Sequence, residues 1–101
     1  MKRLRQDEVK ALRTRLPQWT RRGSVIRRTY EFAGFPAAMR FVNAVARAAE
    51  VAQHHPDIDI RWNRVRLALT THDAGGLTQR DVDLAASCDA LAVRTDRRSR
   101  P

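Results

Sequence analysis

Residues 57–72 read DIDIRWNRVRLALTTH, and their alternation decides the fold. Ile58, Ile60 and Trp62 keep one phase of a two-residue period, whereas Val65, Leu67 and Leu69 keep the other. Successive strand residues face opposite sides of a sheet. A change of phase at Asn63 and Arg64 therefore predicts a tight turn or bulge between two antiparallel arms. Antiparallel pairing returns the start of the first arm to within ~5 Å of the end of the second. The flanking residues His54, His55 and His72, all the histidines of the chain, are thus expected at one edge of the sheet.

Further out, Ala38, Phe41, Val42, Val45, Ala49 and Ala52 recur at helical spacing, opposite Arg40, Asn43, Arg47 and Glu50. They predict a helix over 36–53 that Pro36 opens and Pro56 ends, because proline disfavours helical geometry at His55. The alanines make a shallow face on which a second subunit is expected to pack. Upstream, Leu4, Val9, Leu12 and Leu16 mark a first helix over 6–16, stopped by Pro17. A hairpin follows, turning at Gly23 and Ser24, with its second arm over 25–32. Downstream, Gly75 and Gly76 supply a turn, Thr78 is a natural N-cap with Asp81 three residues on, and Leu84, Cys88 and Leu91 face inward on a last helix over 78–93. The order α-β-β-α-β-β-α predicts an α+β domain, a four-stranded antiparallel sheet covered on one face by helices.

A chain of 101 residues supports one domain with one modest core, here with basic, flexible ends at about 1–5 and 96–101. No apolar run approaches the ~18 residues a membrane span needs. The charged start MKRLRQDEVKALR lacks a signal-peptide core, which predicts a cytoplasmic protein. The single cysteine, Cys88, excludes an internal disulfide framework and is expected to be buried packing. The net charge of +9 raises the question of nucleic acid. The excess lies largely at the two ends, however, with no interleaved aromatics and no zinc spacing, which argues against specific nucleic-acid binding.

Clustered histidines suit a metal or proton transfer. Metal is the weaker reading, since no HxH or HxxxH spacing is present and no cysteine or carboxylate completes a zinc set. Proton transfer needs only imidazoles titrating near neutral pH, with Asp57, Asp73 or Asp81 to orient them. Structural explanations compete. His54 and His55 suit a helix C-terminus, Pro56 suits a helix stop, Thr78 and Asp81 a capping box, and His72 a strand end.

The stretch AEVAQHHPDIDIRWNRVRLALTTHDAGGLTQRDVDLA, from Ala49 to Ala85, resembles the pterin-4a-carbinolamine dehydratase family. The likeness rests on the His-His-Pro triplet, the Thr-His-Asp step and the Gly-Leu-Thr-x-x-Asp entry to the last helix. LPQW at 16–19 and FAGFPAAMRFV before the long helix extend it. The resemblance implies homodimers or homotetramers, and dehydration of a 4a-hydroxytetrahydropterin to the quinonoid dihydropterin. That reaction recycles the pterin of aromatic amino acid hydroxylases, with no cofactor and no metal. Carried over by position, the catalytic histidines are His54, His55 and His72. The substrate-binding segments are His54, His55, Pro56 and Thr71, His72, Asp73, Ala74, and Asp81 lies in support. Ile58 stands where animal members often carry tryptophan, which keeps the strand and removes an aromatic surface. A non-catalytic assembly or dimerization factor of the same fold is the alternative.

Overall fold

The elements, in a computed structural model describing residues 1–99 and side chains to residue 97, are α1 (Gln6–Arg15), β1 (Thr20–Arg22), β2 (Val25–Glu31), α2 (Phe35–Ala52), β3 (Asp57–Arg61), β4 (Arg64–Leu69) and α3 (Gln79–Ser99). A single 3-10 turn, His72–Ala74, lies between β4 and α3. The strands form one antiparallel sheet of order β1-β2-β4-β3, the α+β architecture that the alternating sequence predicts.

Register sorts the two faces. Ile26 pairs with Leu69 and Tyr30 with Val65, and these four side chains are buried together with Leu67. The intervening residues Thr29, Glu31, Arg64 and Arg66 are exposed, so the opposite face is open. Ala38, Phe41, Val45 and Ala49 of α2 and Leu84, Ala85, Cys88 and Ala92 of α3 complete the core. Each large apolar side chain fully buried in this way stabilises the fold by ~1.5–3 kcal/mol. Phe41 sits between Tyr30 and Phe32, with ring centroids 4.6 and 5.0 Å away.

Three expectations need correction. Arg61 pairs with Arg64, so the β3–β4 turn is Trp62 and Asn63, one residue earlier than the phase change suggests. Trp62 itself takes the left-handed conformation, with φ 50°. Asn63 is committed elsewhere: its Nδ2 donates to the Phe32 carbonyl at 2.9 Å and its own carbonyl accepts from the Phe32 N–H at 2.9 Å. Second, α3 runs past Val93 to Ser99, because Ala92 and Thr95 still face the core and no helix breaker intervenes. Residues 96–99 thus continue the helix, and the expectation for Arg100 and Pro101 falls outside the described residues. Third, the alanine face of α2 is occupied by the protein's own core, where Ala38 and Ala49 are buried. Ala52 is exposed, and the outer surface of α2 instead presents Val51, 88% exposed.

Candidate functional site

The end of α2 is shaped by backbone bonding before any side chain acts. Gln53 adopts a left-handed conformation, φ 51° and ψ 42°. Its N–H donates to the Glu50 carbonyl at 3.2 Å, and the His54 N–H donates to the Ala49 carbonyl at 3.1 Å. This pair of bonds is a Schellman helix end, a position that usually holds glycine. The left-handed glutamine costs on the order of 1 kcal/mol. Its Nε2 offsets part of that by donating to the Glu50 carbonyl at 2.7 Å. Arg80 closes the same end from α3, donating through Nη2 to the carbonyls of Ala52 at 3.0 Å and Gln53 at 2.5 Å.

This turn sends His54 inward. The residue is 8% exposed and its Nε2 lies 2.5 Å from Oδ1 of Asp81, which is fully buried. The other carboxylate oxygen, Oδ2, accepts from the Thr71 hydroxyl at 2.8 Å and from the Thr78 N–H at 2.9 Å. Thr71 gives its only hydroxyl proton to Asp81, so its 2.8 Å contact with Thr78 Oγ1 must be donated by Thr78. Thr78 Oγ1 in turn accepts from the Arg80 N–H at 3.3 Å. Thr78 and Asp81 therefore cap α3 as their spacing predicts, and the same carboxylate also holds His54. The structural and the site readings of Asp81 are not exclusive.

An ionised carboxylate only accepts, so the ring nitrogen of His54 facing Asp81 carries a proton and Nδ1 is left bare in the neutral ring. His55 follows the same rule on the surface, where its Nε2 lies 2.7 Å from Glu50 Oε2. That exposed pair adds little stability; its consequence is orientation. Pro56 is half-buried and leads directly into β3. His72 and Asp73 are exposed, and Ala74 is half-buried, in the 3-10 turn. The Ala74 N–H donates to the Thr71 carbonyl at 3.1 Å and the Gly75 N–H to the His72 carbonyl at 3.0 Å.

The structure brings His54, Thr71, Thr78 and Asp81 into one bonded group. His55 and His72 leave from the residues that adjoin His54 and Thr71, and neither side chain bonds to Asp81. Among the described residues, no three His, Cys, Asp or Glu side chains are grouped as a metal site would need. No helix there is long and apolar enough to cross a membrane.

Glu50 and Arg80 escape a reading of the sequence. Glu50 lies five residues before His55, a spacing that pairs no two residues on a continuous helix, and it meets His55 only because the helix ends between them. Arg80 leaves a faint signal. A cation in the first turn of a helix opposes the helix dipole, which implies acceptors elsewhere, here the carbonyls that end α2.

A small antiparallel sheet backed by helices, with a carboxylate–histidine group joining the end of one helix to the start of another, makes this an α+β protein with a buried polar centre between two helix ends. Residues 2–91 match the family model described as pterin 4 alpha carbinolamine dehydratase, and the chain belongs to that family. It is 67% identical over 76 residues to an Acidobacterium capsulatum protein provisionally named a pterin-4-alpha-carbinolamine dehydratase, covering 75% of this chain and 83% of that one. A Chloroflexus aurantiacus protein with the same provisional name is 55% identical over 91 residues, covering 90% of this chain and 98% of that one. A crystal structure of a transcriptional coactivator/pterin dehydratase from Brucella melitensis superposes with a TM-score of 0.85 at 32% identity, over 89% of this chain and 98% of that one. A pterin dehydratase-like RuBisCO assembly factor of the alpha-carboxysome shares the fold, with a TM-score of 0.62 at 23% identity over 73% of this chain and 86% of that one.

Proposed function

We propose that the protein is a cytoplasmic hydro-lyase that removes water from a 4a-hydroxytetrahydropterin to give the quinonoid dihydropterin. The observation that carries this reading is the Asp81 carboxylate, which bonds both His54 and Thr71 and so draws the His54-His55-Pro56 and Thr71-His72-Asp73-Ala74 segments together. These segments are the substrate-binding walls in this proposal. A carbinolamine loses hydroxide poorly, so one imidazolium protonates the departing oxygen. A neutral imidazole takes the proton from the adjacent ring nitrogen as the C=N bond forms. One proton is given and one is taken, and the product is water. Each positioned transfer is typically worth ~100- to 10,000-fold.

His55 and His72, both exposed, are the residues open to a substrate. His54 presents its Nδ1 from a buried position, and Asp81 positions it. The chemistry asks for no metal and no cofactor. Family membership and the names of the relatives favour a pterin substrate. Assembly as a homodimer or homotetramer and coupling to an aromatic amino acid hydroxylase belong to the same proposal. Following the decay of 4a-hydroxypterin absorbance with and without purified protein tests the reading. Acceleration supports it. A decay rate unchanged by the protein points instead to an assembly or dimerization role on the same fold.

A further inference from the structure

A groove of about 780 Å³ opens between α1 and the β1 end of the sheet, away from the histidines. Leu12, Leu16 and Ile26 line its floor, and Lys10, Arg13 and Arg21 complete its charged lining. Every titratable side chain in that lining is cationic. Arg21 donates to the Gly23 carbonyl at 2.9 Å, whereas Lys10 and Arg13 have no side-chain partner among the described residues. Two cations with no side-chain partner among the described residues, beside a third, form an anion site over a closed apolar floor of core side chains.

Beside it runs a free strand edge. Among the described residues β1 pairs only with β2, and Thr20–Arg22 is exposed throughout. An edge strand presents unpaired N–H and C=O groups on which an extended segment can be added. We propose that the groove takes an acidic, extended peptide segment of a partner protein. The segment pairs along β1 and sets carboxylates against Lys10, Arg13 and Arg21.

Charge selects this occupant over a second copy of the chain, because two such grooves brought together would oppose their cations. The strand edge selects it over a nucleic acid, whose phosphates do not extend a sheet. Trp19, the ring nearest the groove, is buried and offers no stacking surface to a base.

The test uses a fluorescein-labelled nine-residue peptide alternating glutamate with valine or leucine, titrated into the full chain by anisotropy. The proposal expects saturable binding that weakens as salt rises, falls at least tenfold in the Lys10→Glu/Arg13→Glu double variant, and slows amide exchange at Arg21, the β1 residue whose N–H faces away from β2. Dehydration activity should be untouched in that variant, which alters no histidine and no Asp81 contact. Any of four results overturns the proposal. These are no binding, equal binding by the double variant or by a glutamine-for-glutamate peptide, displacement by equimolar oligodeoxythymidine, or a solution mass that drops in the double variant because the groove closes on another copy.

Discussion

Replacing Asp81 with asparagine alters a carboxylate that has no exposed surface and three hydrogen-bond donors around it. The amide keeps the shape and loses the charge. Its oxygen must stay on the side of the Thr71 hydroxyl and the Thr78 N–H, since both donate. Its NH2 then faces His54 Nε2, which has to give up its proton and accept. The three hydrogen bonds to the carboxylate, each worth ~1.5–3 kcal/mol when charge-assisted, become neutral ones worth ~0.5–1.5 kcal/mol, and His54 moves to the Nδ1–H tautomer with no bare nitrogen to offer. A loss of about 2 kcal/mol lowers the Tm of a chain of this size by roughly 8–16 °C. Asp81→Ala strands all three donors and costs about 3–5 kcal/mol. Thermal melts read the stability, and long-range nitrogen–proton correlation spectra of the imidazole read the tautomer. An Asp81→Asn protein that melts within 2 °C of the parent and keeps the Nε2–H form of His54 would refute the assigned network.

Asp89 offers a single oxygen, Oδ1, to Trp19 Nε1 at 3.0 Å, Arg28 Nη1 at 2.7 Å and the Tyr30 hydroxyl at 2.5 Å. Asp89→Ala leaves these donors without their shared acceptor and should cost about 2–3 kcal/mol in urea unfolding; a loss below 0.5 kcal/mol would show that water replaces the carboxylate. Burial pushes the Cys88 thiol from its ordinary 9.0 up to about 12, with help from the nearby Asp89 charge. The folded state keeps this proton while the unfolded chain releases it above pH 9. Stability therefore falls between pH 9 and 12, by about 1.4 kcal/mol per pH unit from this group. Cys88→Ala should flatten the slope by that amount, and parallel slopes for the two proteins would contradict it. Ala49→Glu buries a carboxylate in the core and should prevent folding, whereas Val51→Glu should leave the monomer's stability within ~0.5 kcal/mol; circular dichroism separates the two outcomes.

The β3–β4 hairpin is legible because the change of phase between Trp62 and Val65 permits no continuous strand. Its turn is harder to place, since the left-handed position falls on Trp62 although Asn63 is the residue that tolerates it best. Nothing local stops α3 at Val93, and Thr95 packs against the core beyond it and donates to the Leu91 carbonyl at 2.9 Å. The alanine face of α2 illustrates a different limit. Periodicity shows that Ala38 and Ala49 face something, and only the fold shows that they face the protein's own sheet. At the site, His54, Thr71 and Asp81 are readable as residues of interest. Their union on one carboxylate is tertiary, as are the Glu50 and Arg80 contacts that depend on where α2 stops.

The most direct measurement is the dehydration rate of a 4a-hydroxytetrahydropterin with the parent protein beside His55→Ala and His72→Ala, each checked for folding by its thermal melt. Both variants alter exposed side chains, so their stability should stay within ~0.5 kcal/mol of the parent. The parent should accelerate the decay, and each variant should lose ~100- to 10,000-fold of that acceleration. Full activity in both variants would contradict histidine proton transfer, and a parent protein that does not alter the decay would contradict the enzymatic account itself.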